Sequence, residues 1–348
     1  MVPTQVGTMA VELIIHDAMS FQRLRFPIAL FVCTFGLFML AAPTVRAFTV
    51  SPVIVDLDVA PGKSSQGSIH ITNNAENSQT FYVGIQTFVA RGEEGQQDFL
   101  PEDNKIGLPS WITPASRSVT LGPNESKDFT YVVNVPKDAE AGGHYAALFF
   151  STQPMTEQGD VSVGVGAKTG VLFLLAVPGD IKEDARIESF TVNAGTFDRL
   201  PAYFDTRIRN LGNIHFRPEG NIVVKSMFGT TSARFPMNPL NAAVLPNSIR
   251  RVQTVWAVKT FDSDTGKGTF FGELKDEWDN FAIGRYTAEL DATYGTSKQP
   301  LHGQVTFWVF PWRLAIVGGV LLVVLILLLM GYNRMVVRVA MKKTGTRK

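Results

Sequence analysis

The histidines beyond the opening segment, His70, His144, His215 and His302, come singly, one per alternating run or turn. A zinc site or a hydrolytic centre needs donors gathered by a fixed spacing, as in HExxH, and neither that motif nor a cysteine stands beside any of them. No Gly-x-Ser-x-Gly marks a nucleophile on a strand-to-helix turn. These histidines read as solvated or capped strand residues, and the chain reads as a non-enzyme without a cofactor. One segment has part of a cation loop. Asp262, Asp264 and Glu273 hold the first, third and twelfth positions from which carboxylates converge on calcium. Position five is Gly266 and position six is Lys267, where an oxygen donor and the turn glycine belong. A solvated loop entering a glycine-rich hairpin is therefore set beside calcium, and these three acids are the chain's one metal candidate.

Recognition chemistry is better represented. Phe270, Phe271, Trp278 and Phe281 lie among acids in an insertion over 270–281. Aromatic side chains on loops are frequent anchors of protein contacts, so these four are the candidate partner-binding residues, the alternative being that Trp278 and Phe281 close one end of a sandwich. An acidic stretch at 91–105 has fewer apolar residues and reads as a solvent-facing loop. The run 161–176 carries Gly164, Gly166 and Gly170 after Gly159; glycine within a strand marks a bulge or lets another backbone approach, so this strand is either internal and bulged or an edge open to strand addition.

The elements that position these residues are strands, enclosed by two apolar ends. Arg23 and Arg25 precede an uncharged stretch at 26–42, and Val45-Arg46-Ala47 supplies small residues where a signal peptidase cuts, which makes 1–47 a leader and Phe48 the mature start; Met19 is the expected true initiator. Cys33 lies inside the apolar run as an ordinary core residue. At the other end 314–332 is uncharged, and about 19 residues rising ~1.5 Å each nearly cross a hydrocarbon core of ~30 Å. Trp308, Trp312 and Tyr332 bracket it as interfacial anchors, and Arg334, Arg338, Lys342, Lys343, Arg347 and Lys348 follow without an acid. The expectation is a single transmembrane helix over 312–333, a basic cytoplasmic tail over 334–348, and everything between leader and helix outside the cell membrane.

Charge and cysteine content narrow the partners. Of 32 basic and 31 acidic residues, nine and two lie outside 48–313, leaving the ectodomain 23 against 29 and a net charge of about −6. Such a surface is a poor electrostatic ligand for nucleic acid. The one cysteine falls in the leader, so no disulfide supports the ectodomain, which must be held by cores.

Short alternating runs bounded by Pro, Gly and Asn, with no sustained helical period between the ends, predict an all-β chain. Turn signals at this spacing indicate an immunoglobulin-like sandwich over 48–179 and a second over 180–310. Three features recur in order. Phe204 to Asn210 corresponds to the strand ending at Asn73, Leu245-Pro246-Asn247-Ser248 corresponds to Leu121-Gly122-Pro123-Asn124-Glu125-Ser126, and Gly284-Arg285-Tyr286 corresponds to Gly143-His144-Tyr145, each tyrosine being expected to enter its core.

Phe48-Thr49-Val50-Ser51-Pro52, Ala60-Pro61-Gly62, Ile71-Thr72-Asn73, Pro123-Asn124-Glu125-Ser126, Gly142-Gly143-His144-Tyr145 and Ala176-Val177-Pro178-Gly179 together resemble DUF916, the peptidoglycan-binding domain of WxL-interacting proteins. The resemblance covers about 130 residues of the first domain. The plan of signal, two sandwiches, one helix and a basic tail is also similar to those bacterial cell-surface proteins. It implies that the first domain binds peptidoglycan and the second a surface protein. The expected function is thus a membrane-anchored, non-enzymatic protein binding cell-envelope glycan or another surface protein. The alternative is a tethered chaperone or assembly factor that works by strand addition, which requires an exposed edge strand.

Overall fold

The computed structural model describes residues 48–100, 107–154, 167–258 and 269–344. Its first half contains ten strands: β1 (Thr49–Ser51), β2 (Ile54–Asp58), β3 (Ser64–Thr72), β4 (Gln79–Arg91), β5 (Gln96–Phe99), β6 (Ile112–Pro114), β7 (Ser118–Leu121), β8 (Ser126–Asn134), β9 (Gly142–Ser151) and β10 (Lys168–Val177). They form one sheet in the order β1-β3-β8-β6 and another in the order β2-β10-β9-β4-β5, with β7 also paired to β4. A one-turn helix, α1 (Leu108–Trp111), closes one end. The second half repeats the plan with β11 (Ala185–Val192), β12 (Thr196–Phe197), β13 (Ala202–Asn210), β14 (Glu219–Ser226), β15 (Thr231–Pro236), β16 (Ile249–Trp256), β17 (Gly284–Tyr294) and β18 (Gln299–Val309). Their orders are β11-β13-β16 and β12-β18-β17-β14-β15. The chain is two tandem immunoglobulin-like β-sandwiches followed by an apolar helix.

Alternation builds both cores. Phe129, Tyr131 and Val133 point inward from β8, and Ile69 and Ile71 from β3. Phe204 and Ile208 do the same from β13, and Tyr286, Ala288 and Leu290 from β17. In both sandwiches the first strand changes sheets. β1 pairs antiparallel with β3 before β2 pairs in parallel with β10, and β11 pairs with β13 before β12 pairs in parallel with β18. Each repeat ends its second main strand on a buried asparagine. Asn73 Nδ2 donates to the carbonyls of Asn77, Leu121 and Gly122 and its Oδ1 accepts from Ala75 N. Asn210 Nδ2 donates to Ile214 and Val244 and its Oδ1 accepts from Gly212 N. A buried amide satisfied in this way fixes where strand becomes turn.

The tyrosine correspondence is corrected. Tyr286 enters the second core, whereas Tyr145 faces outward among Phe88, Ala147 and Phe149, because Ala146, Leu148 and Phe150 are the inward residues of β9. Aligning Gly-x-Tyr places β9 one residue out of register with β17, and one residue exchanges the faces of a strand. Two further helices follow the sandwiches' strands: α2 (Phe270–Asp279) before β17, and α3 (Trp312–Thr344) after β18. α2 stands where the insertion over 270–281 was read as a loop, with Thr269 Oγ1 capping it by accepting from Gly272 N at 3.2 Å. In α3 the stretch Trp312–Arg338 contains an 18-residue window with a mean hydropathy of 3.0, long and apolar enough to cross a membrane. The basic segment expected to follow as a tail continues this helix to Thr344, since neither proline nor glycine interrupts it between Tyr332 and Thr344.

Candidate functional site

The acidic stretch beginning at Arg91 is the joint between the sandwiches, where a solvent-facing loop was expected. β4 and β5 pair as a hairpin whose tip reaches the second sandwich. Glu93 receives both arms of the Arg207 guanidinium, with Nε donating to Oε2 at 2.6 Å, and Glu94 receives Arg251 Nη1 at 3.3 Å. Arg207 holds the Glu93 carboxyl below the usual carboxylate range, its hydrogen bonds outweighing partial burial. Glu93 also offers its backbone carbonyl to Arg251 N at 2.6 Å.

Three other contacts lock the joint. Arg217 reaches both oxygens of Asp56 at 3.0 Å. Tyr145 Oη lies 3.2 Å from His215 Nδ1, and His215 Nε2 is 3.7 Å from Asp56 Oδ1. Burial first and the Arg217 charge second push the His215 pKa down, against the pull of Asp56. Asn213 binds both the linker and the first sandwich, accepting from Lys182 N at 2.8 Å through its side chain and from Gly143 N at 2.8 Å through its backbone. Gly142 passes so close, at φ +128°, that a β-carbon there would sit 2.7 Å from the Asn213 carbonyl oxygen. Between these contacts lies a cleft of about 200 Å³ lined by Phe88, Leu172, Leu174, Leu245 and Arg250 among others. Arg250 Nε is buried there without a hydrogen-bond partner.

Beside the joint runs an incomplete sheet. In the first sandwich β8 is bordered by β3 on one side and by β6 on the other, β6 pairing Tyr131, Val132 and Val133. β16 occupies the place of β8, and the bonds Asn73 N to Glu125 O and Asn210 N to Ser248 O set the two in register, Tyr131 against Thr254 and Val133 against Trp256. Among the described residues nothing takes the place of β6, so β16 is the edge of a three-stranded sheet. Arg251 N points out of that edge to Glu93, and by the two-residue period of a strand Gln253 and Val255 point their backbone groups the same way. Their side chains are exposed, Val255 next to the exposed Tyr203.

The third feature lies where β18 leaves the second sandwich for α3. Arg313 donates through Nη1 to Asp198 and Glu277 at 2.8 Å each, and Nη2 pairs with Glu273. Glu277 is fully buried and its second oxygen accepts from Leu314 N at 2.9 Å, so one carboxylate both caps α3 and neutralises its first cation. Arg199 adds contacts to Asp198 and Glu273. Glu273 and Glu277 of α2 thus face inward, while Phe270, Phe271, Trp278 and Phe281 are 43%, 78%, 69% and 52% exposed. They do not close a sandwich end.

The other sequence candidates separate. Glu273 is engaged by arginines, and Asp262 and Asp264 lie outside the described residues. No cluster of three or more His, Cys, Asp or Glu able to hold a metal occurs among the described residues. His70 and His302 form exposed pairs with Asp128 and Asp291 across neighbouring strands, and His144 packs on Trp111. His215 departs from expectation by being part-buried in the joint, its side chain 10% exposed. β10 is internal to its sheet where β2 pairs Leu172 to Ala176, while Gly159, Gly164 and Gly166 lie outside the described residues. The residues missed in the sequence are Glu93, Arg207, Arg250 and the edge of β16; the signal was Arg250-Arg251 at the head of an alternating strand.

No protein-family model matches the chain, and no curated protein matches it. Among solved structures it is similar to the class 5 fimbriae chaperone CfaA at 13% identity, covering 76% of this chain and 100% of that one with a TM-score of 0.35. It is also similar to the CsuC–CsuE chaperone–tip adhesion subunit complex of Acinetobacter baumannii at 10% identity, 75% and 98% coverage and a TM-score of 0.33. The Salmonella enterica SafA pilin in complex with the SafB chaperone gives 8%, 76% and 99%, and 0.35. Likeness of this degree carries no argument about function, and the assignment of two immunoglobulin-like sandwiches rests on strand order and cores.

Proposed function

We propose that this is a membrane-anchored, extracytoplasmic binding protein whose second sandwich takes up an extended segment of a partner polypeptide along the outer edge of β16. One observation carries the reading. Among the described residues, the sheet that has four strands in the first sandwich has three in the second, and the position without a strand lies beside Thr254 to Trp256. An unpaired strand edge is a template for a further strand, with main-chain hydrogen bonds supplying affinity and the exposed side chains of Gln253 and Val255 supplying selectivity. The backbone bond from Arg251 to Glu93 already starts that ladder, and a segment of about five residues continues it at ~3.4 Å per residue. Such a surface supports a binding role.

The apolar helix supports the anchoring, and the basic residues after Tyr332 support a cytoplasmic C-terminus. Partner binding by the second sandwich agrees with what the DUF916 resemblance implies for that position in the chain. Peptidoglycan binding by the first sandwich, implied by the same resemblance, is the competing reading. The test uses the full chain in its host membrane with a photoreactive phenylalanine at Gln253, and separately at Thr130, the corresponding residue of β8. Polypeptide adducts at Gln253 that are lost on Val255→Pro, with none at Thr130, support strand uptake. Retention on purified cell wall without adducts at either position refutes it and favours the glycan.

A further inference from the structure

α2 is amphipathic the wrong way round for a helix on a soluble domain. A surface helix normally turns its apolar stripe to the core and its charges to water. Here Glu273, Glu277 and Asn280 face the protein, Glu277 with no exposed surface, while Phe271 and Trp278, seven residues apart and so on one side of the helix, are 78% and 69% exposed. Lys275, exposed between them, flanks the aromatic stripe as a basic side chain that can extend toward phosphates. An outward aromatic stripe needs a non-aqueous neighbour.

The position of the helix identifies that neighbour. Glu277 accepts from Leu314 N at 2.9 Å, and Leu314 opens the uncharged stretch of α3. Trp278, the next residue in the chain, therefore stands level with the point at which α3 enters hydrocarbon. Other turns at this end of the sandwich carry the same character. Ser226 pairs with Tyr286 near the start of β17, which places the β14–β15 turn here, and its tip residue Phe228 is 85% exposed. Phe281, Ile283 and Phe310 are each more than half exposed at the same end. Aromatic residues at this level are the composition of a membrane-interface belt.

We infer that α2 lies in the plane of the bilayer interface, with Phe271 and Trp278 in the headgroup region of the outer leaflet and the Phe228 turn beside them, so that the second sandwich rests on the membrane. The ligand of this surface is the lipid that α3 itself crosses, reached without a partner protein. The inference rests on the reading that α3 spans a membrane, and the experiment separates the two.

The full chain, with Cys33→Ser, is reconstituted in phosphatidylcholine vesicles and carries single nitroxide labels at Phe271→Cys, Phe228→Cys, Leu325→Cys or Leu240→Cys. Leu325 lies mid-way along the apolar stretch of α3, and Leu240 is 88% exposed on a loop at the far end of the sandwich. Collision with oxygen is compared with collision with a water-soluble nickel chelate. The expected result is that labels at 325, 271 and 228 meet oxygen in preference to nickel, deepest at 325, while the label at 240 meets nickel. A deep label at 325 with labels at 271 and 228 matching that at 240 overturns the inference and leaves the span standing, with the aromatic stripe then free for a protein. A nickel-accessible label at 325 overturns the span, and this inference with it.

Discussion

Removing Arg313 should disturb the end of the second sandwich from which α3 departs far more than neutralising Glu277, although the two form one ion pair. Glu277 has no exposed surface and the Arg313 side chain is 14% exposed. Arg313→Ala leaves the Glu277 carboxylate buried with only Leu314 N for a partner, beside Glu273 and Asp198, which lose the same cation. Breaking a buried pair from one side costs roughly 3–5 kcal/mol; Asp198 and Glu273 reach solvent and recover part of it, which leaves about 2–3 kcal/mol. Glu277→Gln keeps the shape and an acceptor for Leu314 N, and Arg313 retains two carboxylates, so the loss is about 1 kcal/mol. At about 1.4 kcal/mol per decade, opening of α2 rises roughly 30- to 150-fold in the first variant and about 5-fold in the second. Amide hydrogen exchange over 273–280 in the full chain held in nanodiscs measures this. Equal acceleration in the two variants, or none in Arg313→Ala, would refute the account of Glu277 as a buried charge dependent on one arginine.

Substituting either buried asparagine should cost about 2–3 kcal/mol, since each leaves several buried backbone groups without a partner. Asn73→Ala lowers the melting transition reported by Trp111 and Asn210→Ala that reported by Trp256, and a reversal of the two would contradict separate cores. Gly142→Ala combines a positive φ with a contact 2.7 Å from the Asn213 carbonyl and should open the joint, read as faster proteolysis of the linker at 178–184. The joint should also weaken in acid. His215 has its pKa lowered on folding, so its contribution is complete above the unfolded value of about 6.5 and declines as pH falls below it; Glu93, likewise lowered, declines further below about 4.5. Förster transfer between labels on the two sandwiches should report separation starting near pH 6.5, and His215→Phe should remove that first step while leaving the second.

Much of the fold was written locally. Alternation and turn residues were enough for two sandwiches, and the paired Pro-Asn turns carry Asn124 at φ 54° and Asn247 at φ 55°, the left-handed conformation asparagine tolerates. What escaped depends on pairs distant in the chain. Glu93 and Arg207 are 114 residues apart, and an acidic turn in isolation looks solvated whether or not an arginine awaits it. The face of Tyr145 escaped for another reason: β9 is apolar on both sides, so alternation could not choose between them, and the second sandwich covers the outer one. α2 escaped because a helix is normally recognised by an apolar face turned inward, and here the buried face carries acids whose partner, Arg313, lies beyond two further strands.

The joint and the helix α3 constrain what the proposed edge of β16 can bind. Glu93 occupies the outward position at Arg251 of β16 and Glu94 holds the Arg251 side chain beside it, so an added strand has that end of the edge closed by the first sandwich. The strand runs from there toward Trp256, which packs on Tyr286 and Phe307 at the end from which α3 departs. A partner segment laid along β16 would therefore extend between the joint and the start of α3, with its length limited by both. Lengthening it requires the hairpin tip to withdraw, and the arginines that hold the tip, Arg207 and Arg251, sit on the sheet the partner would join. Strand uptake and opening of the joint then draw on the same contacts, so variants that free the hairpin, such as Glu93→Ala, should lengthen the accessible edge and increase crosslinking at Gln253.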